Sequence, residues 1–201
     1  MRIKIKGTLA ILLFLLGPTA CENCGEETYY SINGLKIYNF KYTGLDPIPI
    51  KTIEDGESSA WDKFFVQVGF EETYYTENRK SGGYTLFADC WGKGSLGSKI
   101  GLDTLYLITL KDYNDEYLQN DTLNSIILAN DLTNGIGEFN NFYSLTKFVQ
   151  ENRASIPNHE FVLKINEPPS KDIGEYQFKL ILILNGGKTF ENESRIVKLI
   201  K

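Results

Sequence analysis

Histidine, methionine and cysteine are scarce in this 201-residue chain, which has one His, one Met and three Cys. A single histidine, His159, supplies no spaced pair from which a zinc site could start. It stands in the loop-like stretch Pro157-Asn158-His159-Glu160 with no serine or cysteine in a nucleophile-elbow context, and so reads as a surface residue. Neither a phosphate-binding P-loop nor a Gly-x-Gly-x-x-Gly fingerprint occurs, and no cofactor or metal is expected. Basic residues number 21 against 26 acidic ones, with no basic patch interleaved with aromatics, which excludes nucleic acid as a partner. Long apolar runs are also missing. The one at Leu9–Leu16 is about half of the ~20 residues that cross a bilayer, so no transmembrane helix is expected.

That short run lies between Arg2, Lys4 and Lys6 on one side and Gly17-Pro18-Thr19-Ala20-Cys21 on the other, the outline of a signal peptide over residues 1–20. Ala20-Cys21 resembles the end of a bacterial lipobox, in which the cysteine becomes the acylated first residue. Pro18 stands where the motif carries leucine or a similar apolar residue. Ordinary cleavage after Ala20 is the competing reading, but it wants a small residue at position 18. The expectation is a lipid anchor at Cys21, a tether over 21–27 and a single domain over 28–201, held to the outer membrane on its periplasmic or cell-surface side. One acyl chain binds a membrane marginally, whereas several hold it stably. Removing residues 1–20 takes three of the 21 basic residues and no acidic one, leaving 18 against 26, a net charge of −8. Such a surface is repelled by acidic headgroups, so the lipid must do the attaching.

With Cys21 acylated, Cys24 and Cys90 remain, and an oxidising compartment invites a disulfide between them. Closing that loop of about 66 residues stabilises a fold by roughly 4 kcal/mol in the chain-entropy model. The alternative is a tether cysteine and a buried thiol.

Aromatic content of 13% and hydrophobic content of 42% suit a folded, β-rich domain, and strand patterns dominate the chain. Residues 28–43 read as one or two strands around Asn33-Gly34, and 44–60 as a loop. Phe64, Val66, Val68 and Phe70 alternate, which puts them on one strand face. Thr73–Ala88 reads as a hairpin turning near Ser81-Gly82-Gly83. Leu102 to Leu110 is apolar on both faces, as in a central strand. Two short helices are expected, one capped by Ser144 and burying Leu145, Phe148 and Val149, the other capped by Asp121 and carrying Leu123, Ile126 and Ile127. Phe161, Leu163 and Ile165 form a further strand, ended by Pro168-Pro169. Gly174–Leu184 and Phe190–Ile200 then make a hairpin about Asn185-Gly186-Gly187.

Within that hairpin, Asp172-Ile173-Gly174-Glu175-Tyr176 resembles the tyrosine corner of immunoglobulin-like domains. The resemblance implies that the Tyr176 hydroxyl bonds to backbone a few residues upstream, where the chain passes between sheets. Phe178 occupies the position of the disulfide cysteine of those domains. The expected fold is mostly β, an immunoglobulin-like β-sandwich with one or two short helices in an insertion.

The lipoprotein start, the stretch Ile100–Ile127 and the sandwich-like tail resemble uncharacterised lipoproteins of Bacteroidetes. Glu22, Glu26 and Glu27 are similar to that phylum's surface-export signals. Asp103-Thr104-Leu105 and Asp121-Thr122-Leu123 resemble its O-glycosylation sites, with Thr122 favoured over the strand residue Thr104.

Asp112, Asn114, Asp115, Glu116, Asn120 and Asp121 crowd one segment with the hard oxygens that calcium prefers, but without EF-hand spacing; the plainer reading is a solvated loop. Tyr74, Tyr75, Tyr84 and Trp91 are candidates to stack on a sugar, against the plainer reading that they cover the sheet. Two functions follow: a non-enzymatic binding or assembly module for a protein or glycan partner, or a lipid-anchored glycosidase-type hydrolase with an unlocated carboxylate pair.

Overall fold

A computed structural model describes residues 27–44, 50–54, 56–77, 93–132 and 141–201. The signal segment, Cys21, Cys24, Tyr84, Cys90, Trp91 and the turn expected at Ser81-Gly82-Gly83 lie outside the described residues.

Period-two burial produces a mostly β molecule with several antiparallel sheets. The longest strand, β1 (Tyr29–Tyr42), pairs antiparallel with β4 (Phe64–Tyr75) from Tyr29↔Tyr75 to Lys41↔Phe64. It is one strand where a turn at Asn33-Gly34 was an option. The register shifts between Ile32 and Gly34, a β-bulge. Asn33 Nδ2 donates to Thr73 Oγ1 at 2.6 Å, and a Cβ on Gly34 would lie 2.5 Å from Glu71 Oε2. Cross-strand bonds on both sides of Asn33-Gly34 outweigh its local turn preference.

Between β1 and β4 lie β2 (Ile50–Thr52) and β3 (Ser58–Ala60), two short strands in a stretch expected to be loop, and a 3-10 turn at Trp61–Lys63. Downstream come β5 (Leu102–Thr109), β6 (Ile127–Asn130), β7 (Tyr143–Ser144), helix α1 (Leu145–Glu151) and β8 (Glu160–Ile165). The chain ends with β9 (Ile173–Tyr176), β10 (Phe178–Leu184), β11 (Thr189–Glu193) and β12 (Val197–Ile200). A six-stranded sheet runs β2-β1-β4-β8-β6-β7. Three-stranded sheets run β11-β10-β5 and β3-β12-β9, with β3 parallel to β12.

The buried faces of these sheets meet in one continuous core. Phe64, Val66, Val68 and Phe70 of β4 and Phe161, Leu163 and Ile165 of β8 face Leu105 and Leu107 of β5 and the even-numbered residues Phe178–Leu184 of β10. The Phe64 and Phe178 rings stack across the gap at 5.8 Å. Each such side chain contributes roughly 1.5–3 kcal/mol by leaving water. Helix α1 starts as expected, with Ser144 Oγ accepting from Lys147 N–H at 3.4 Å, and it seats Phe148 4.8 Å from Phe161.

Four more elements differ from expectation. Thr73–Tyr75 finish β4 and do not open a new hairpin, because their partners on β1 continue unbroken. Strand β5 is an edge strand, not a central one: Asp103 and Tyr106 are exposed. Its outer edge is covered by residues 120–124: Leu123 N–H donates to Leu107 C=O at 2.7 Å, Thr109 N–H to Asp121 C=O at 3.1 Å, and the Asn124 side chain donates to Leu105 C=O at 2.7 Å and accepts from Leu107 N–H at 3.1 Å. The helix expected after Asp121 is only a 3-10 turn, Asn124–Ile126, since the β-branched Ile126-Ile127 pair runs into β6. Finally, the C-terminal hairpin changes sheet midway. Tyr176 pairs with Val197 in one sheet and Lys179 with Glu193 in the next. At its tip, Gly186 (φ 92°) and Gly187 (φ 84°) supply the left-handed turn expected there.

Candidate functional site

The described surface has a groove of about 620 Å³ along the free edge of β1. It arises because β2 accompanies β1 only from Phe40 onward. The last link on that side is Ile53 N–H to Asn39 C=O at 2.8 Å. At the other end two side chains from the β10–β11 hairpin clamp the edge: Asn192 Nδ2 donates to Leu35 C=O at 2.7 Å and Lys188 Nζ to Ile32 C=O at 3.0 Å. In an antiparallel pair alternate residues turn their peptide groups away from the partner, so the N–H and C=O of Ile37 face the opening between the clamps.

Tyr38, Asn39, Gln67, Asn192, Glu193 and Arg195 are among the lining residues. The Tyr38 ring is 45% exposed and meets Phe40 edge-on at 6.4 Å. Asn39 is 4% exposed; its Nδ2 donates to Arg195 C=O at 2.8 Å, and its buried Oδ1 has no partner among the described residues. Arg195 reaches Glu54 at 3.5 Å with both side chains largely in water, so this pair is loosely held. An aromatic face and a carboxylate in one open groove can stack on a ring and accept from its hydroxyls, while the amide N–H groups of Gln67, Asn192 and Asn39 bond Glu160, Leu35 C=O and Arg195 C=O and hold the groove's walls. Sequence reasoning missed the groove, because Tyr38 and Asn192 are distant in sequence. The available signal was Tyr38 itself, an aromatic alternating with Lys36 on the solvent side of β1.

A second cluster sits where β1 begins and β4 ends. His159 Nδ1 lies 2.9 Å from both carboxylate oxygens of Glu72, whose side chain is 6% exposed, and the Tyr74 hydroxyl donates to the same carboxylate at 2.8 Å. The Tyr30 ring stacks on the imidazole at 4.9 Å, and its hydroxyl donates to Asn158 C=O at 2.6 Å and Ile156 C=O at 3.0 Å. Burial, then the nearby Glu72 charge, pushes the Tyr30 phenol well up; the bond to Glu72 raises that of Tyr74. His159 is therefore half-exposed and held, which its loop-like sequence did not reveal. Among the described residues no serine, threonine or cysteine is a hydrogen-bond partner of the imidazole, so it has an orienting carboxylate and no nucleophile beside it.

Of the residues singled out for sugar stacking, Tyr74 and Tyr75 point to opposite faces of β4. Tyr75 stacks on Tyr29 at 5.8 Å, with Lys99 Nζ 4.2 Å above Tyr29, so the two do not form one platform. Thr104 is half-buried on β5 opposite Ile183, whereas Thr122 is exposed beside its bridge to Ile108. Tyr176 closes β9 at the crossing between sheets. Its ring covers Gly174, where a Cβ would lie 2.6 Å from the hydroxyl. That hydroxyl is buried facing the Lys171 backbone without regular hydrogen-bond geometry, and burial raises its pKa. Asp172 contributes its carbonyl to Lys201 N–H at 2.9 Å.

The acidic loop spends its oxygens on its own backbone. Asn114 Oδ1 accepts from Glu116 and Tyr117 N–H, Asp112 Oδ1 from Gln119 N–H, and Asp121 Oδ2 from Leu118 N–H. Among the described residues no group of three or more His, Cys, Asp or Glu is gathered as metal ligands would be. No described helix is long and apolar enough to cross a membrane.

No protein-family model matches the chain, and no curated protein or solved structure matches it either.

Proposed function

We propose that this chain is a lipid-anchored lipoprotein of the bacterial outer membrane, similar to uncharacterised lipoproteins of Bacteroidetes, and that it acts as a non-enzymatic binding module. Its binding site is the β1 groove, and its ligand is a neutral saccharide. The observation that carries the reading is the convergence on one open groove of the Tyr38 face, Asn192, Glu193, Gln67 and the peptide edge at Ile37. The cations Lys36 and Arg195 are balanced by Glu54 and Glu193, which suits an uncharged, hydroxyl-rich ligand. The immunoglobulin-like form of the sandwich is supported by the hairpin that changes sheet beside Tyr176.

Retention of the purified chain on a glycan array tests the site. Tyr38→Ala and Asn192→Ala remove retention while the circular dichroism spectrum is kept. A parent chain that binds no glycan, or variants that bind as well as the parent, refutes it.

A further inference from the structure

The domain has a defined entry point for its tether. Thr28 is pinned where β1 begins: Gly94 N–H donates to Thr28 Oγ1 at 2.5 Å, and Leu96 N–H donates to Thr28 C=O at 3.1 Å. Two residues on, Tyr30 N–H donates to Gly97 C=O at 3.0 Å. Seven residues lead from Cys21 to Thr28, a reach of at most about 25 Å. The strand that starts there has 14 residues and is about 45 Å long. A tether shorter than the strand cannot let the domain stand upright on its Tyr42 end, which would lift the start of β1 about 45 Å from the bilayer.

Among the described residues, the end where the tether enters carries three tyrosines. Tyr29 and Tyr75 stack there at 5.8 Å, and Tyr74 on the opposite face is 42% exposed. Lys99 covers the Tyr29 ring and is neutralised by Glu77. Tyrosine, with an apolar ring and a polar tip, suits the headgroup layer. Exposed charge lies at both ends, with Glu71, Glu77, Lys93 and Lys99 near the tyrosines and, further along β1, Lys36 and the network in which Lys41 and Lys51 share Glu57. Burying that network against a membrane would cost its hydration.

Resting on the anchor reading above, we infer that the β1-start end of the domain docks on a zwitterionic phospholipid surface, with Tyr29, Tyr74 and Tyr75 at the headgroups. The net charge of −8 after removal of residues 1–20 disfavours an acidic bilayer. Tyr38 is nine residues beyond Tyr29, so the groove stands about 30 Å out from the lipid, open to ligands from the aqueous side.

Three tyrosines of similar exposure read the orientation directly: Tyr74 at 42%, Tyr38 at 45% and Tyr42 at 39%. The acylated full chain, reconstituted in phosphatidylcholine vesicles, is labelled with hydroxyl radicals and compared by mass spectrometry with a Cys21→Ser chain in solution. Tyr74 labelling falls severalfold on the vesicles, while Tyr38 and Tyr42 label as in solution. Vesicle-bound protein in which all three label unchanged, or in which Tyr38 or Tyr42 is the one protected, overturns the docking. A chain with no acyl mass at Cys21 that does not sediment with vesicles overturns the anchor itself, and the docking with it.

Discussion

Ser194 and Phe178 exchange two hydrogen bonds of different kinds: Ser194 N–H donates to Phe178 C=O at 2.8 Å, and Phe178 N–H donates to the Ser194 hydroxyl at 3.0 Å. The side chain thus stands in for a backbone carbonyl at the point where the C-terminal hairpin leaves one sheet for another. Both residues are buried. Ser194→Ala leaves the Phe178 N–H without a partner, a cost of about 1–3 kcal/mol. Urea denaturation shows a lowered midpoint with an unchanged slope, and unaltered stability would mean that the hydroxyl is dispensable.

Gly174 is required by its neighbour, not by its backbone angle. An added methyl would lie 2.6–2.8 Å from the Tyr176 hydroxyl and ring. Gly174→Ala therefore destabilises by about 1–3 kcal/mol through overpacking. The double variant Gly174→Ala with Tyr176→Leu loses less than the sum of the two single changes. Strict additivity in thermal melts would show that the contact is not the cause.

Asn124 closes the Leu105 end of the β5 edge, next to the backbone bonds of residues 120–123, by bonding both Leu105 C=O and Leu107 N–H. Asn124→Ala removes both bonds and opens an edge to pairing with another chain. The melting temperature falls, and light scattering at high concentration rises. A variant that stays as monodisperse as the parent would argue against edge protection.

Acid weakens the junction of β2 and β3. Lys51 at 2.9 Å and Lys41 at 3.3 Å hold the Glu57 carboxyl down to about 2 from its usual 4.5. A depressed carboxyl contributes stability that is complete above the unfolded value and lost as pH falls through the folded one. Glu57→Gln is thus less stable than the parent at neutral pH, and the gap closes between about pH 4.5 and pH 2. Glu57 is about one-third exposed, so added salt shrinks the gap as well. A pH-independent gap would assign the effect to shape instead of charge.

Much of this fold was legible one strand at a time. Phe64, Val66, Val68 and Phe70 announced β4, Phe161, Leu163 and Ile165 announced β8, and Asn185-Gly186-Gly187 announced its turn, because each signal is local. Ser144 marked α1 for the same reason. The errors came where a neighbour outweighed the local preference. Asn33-Gly34 has the chemistry of a turn and became a bulge under pairing with β4. Leu102–Leu110 has the composition of a central strand and became an edge strand, its outer side closed by residues 120–124. The groove was the least legible element, since Tyr38 and Asn192 lie far apart in sequence and meet only when the C-terminal hairpin packs beside β1.

Alternation of apolar and polar residues by itself determined that this protein is strand-rich, which side of most strands is buried, and where its main turn falls. The address suggested by Ala20-Cys21 likewise needs no fold. Tertiary structure alone decided which sheet each half of the final hairpin joins, how β1 keeps part of its edge open, and that Tyr29 meets Tyr75 at the start of β1. Those outcomes depend on hydrogen-bond partners that the chain meets only across the core. A one-dimensional pattern records each residue's preference for burial and leaves its partner to the packing of the whole.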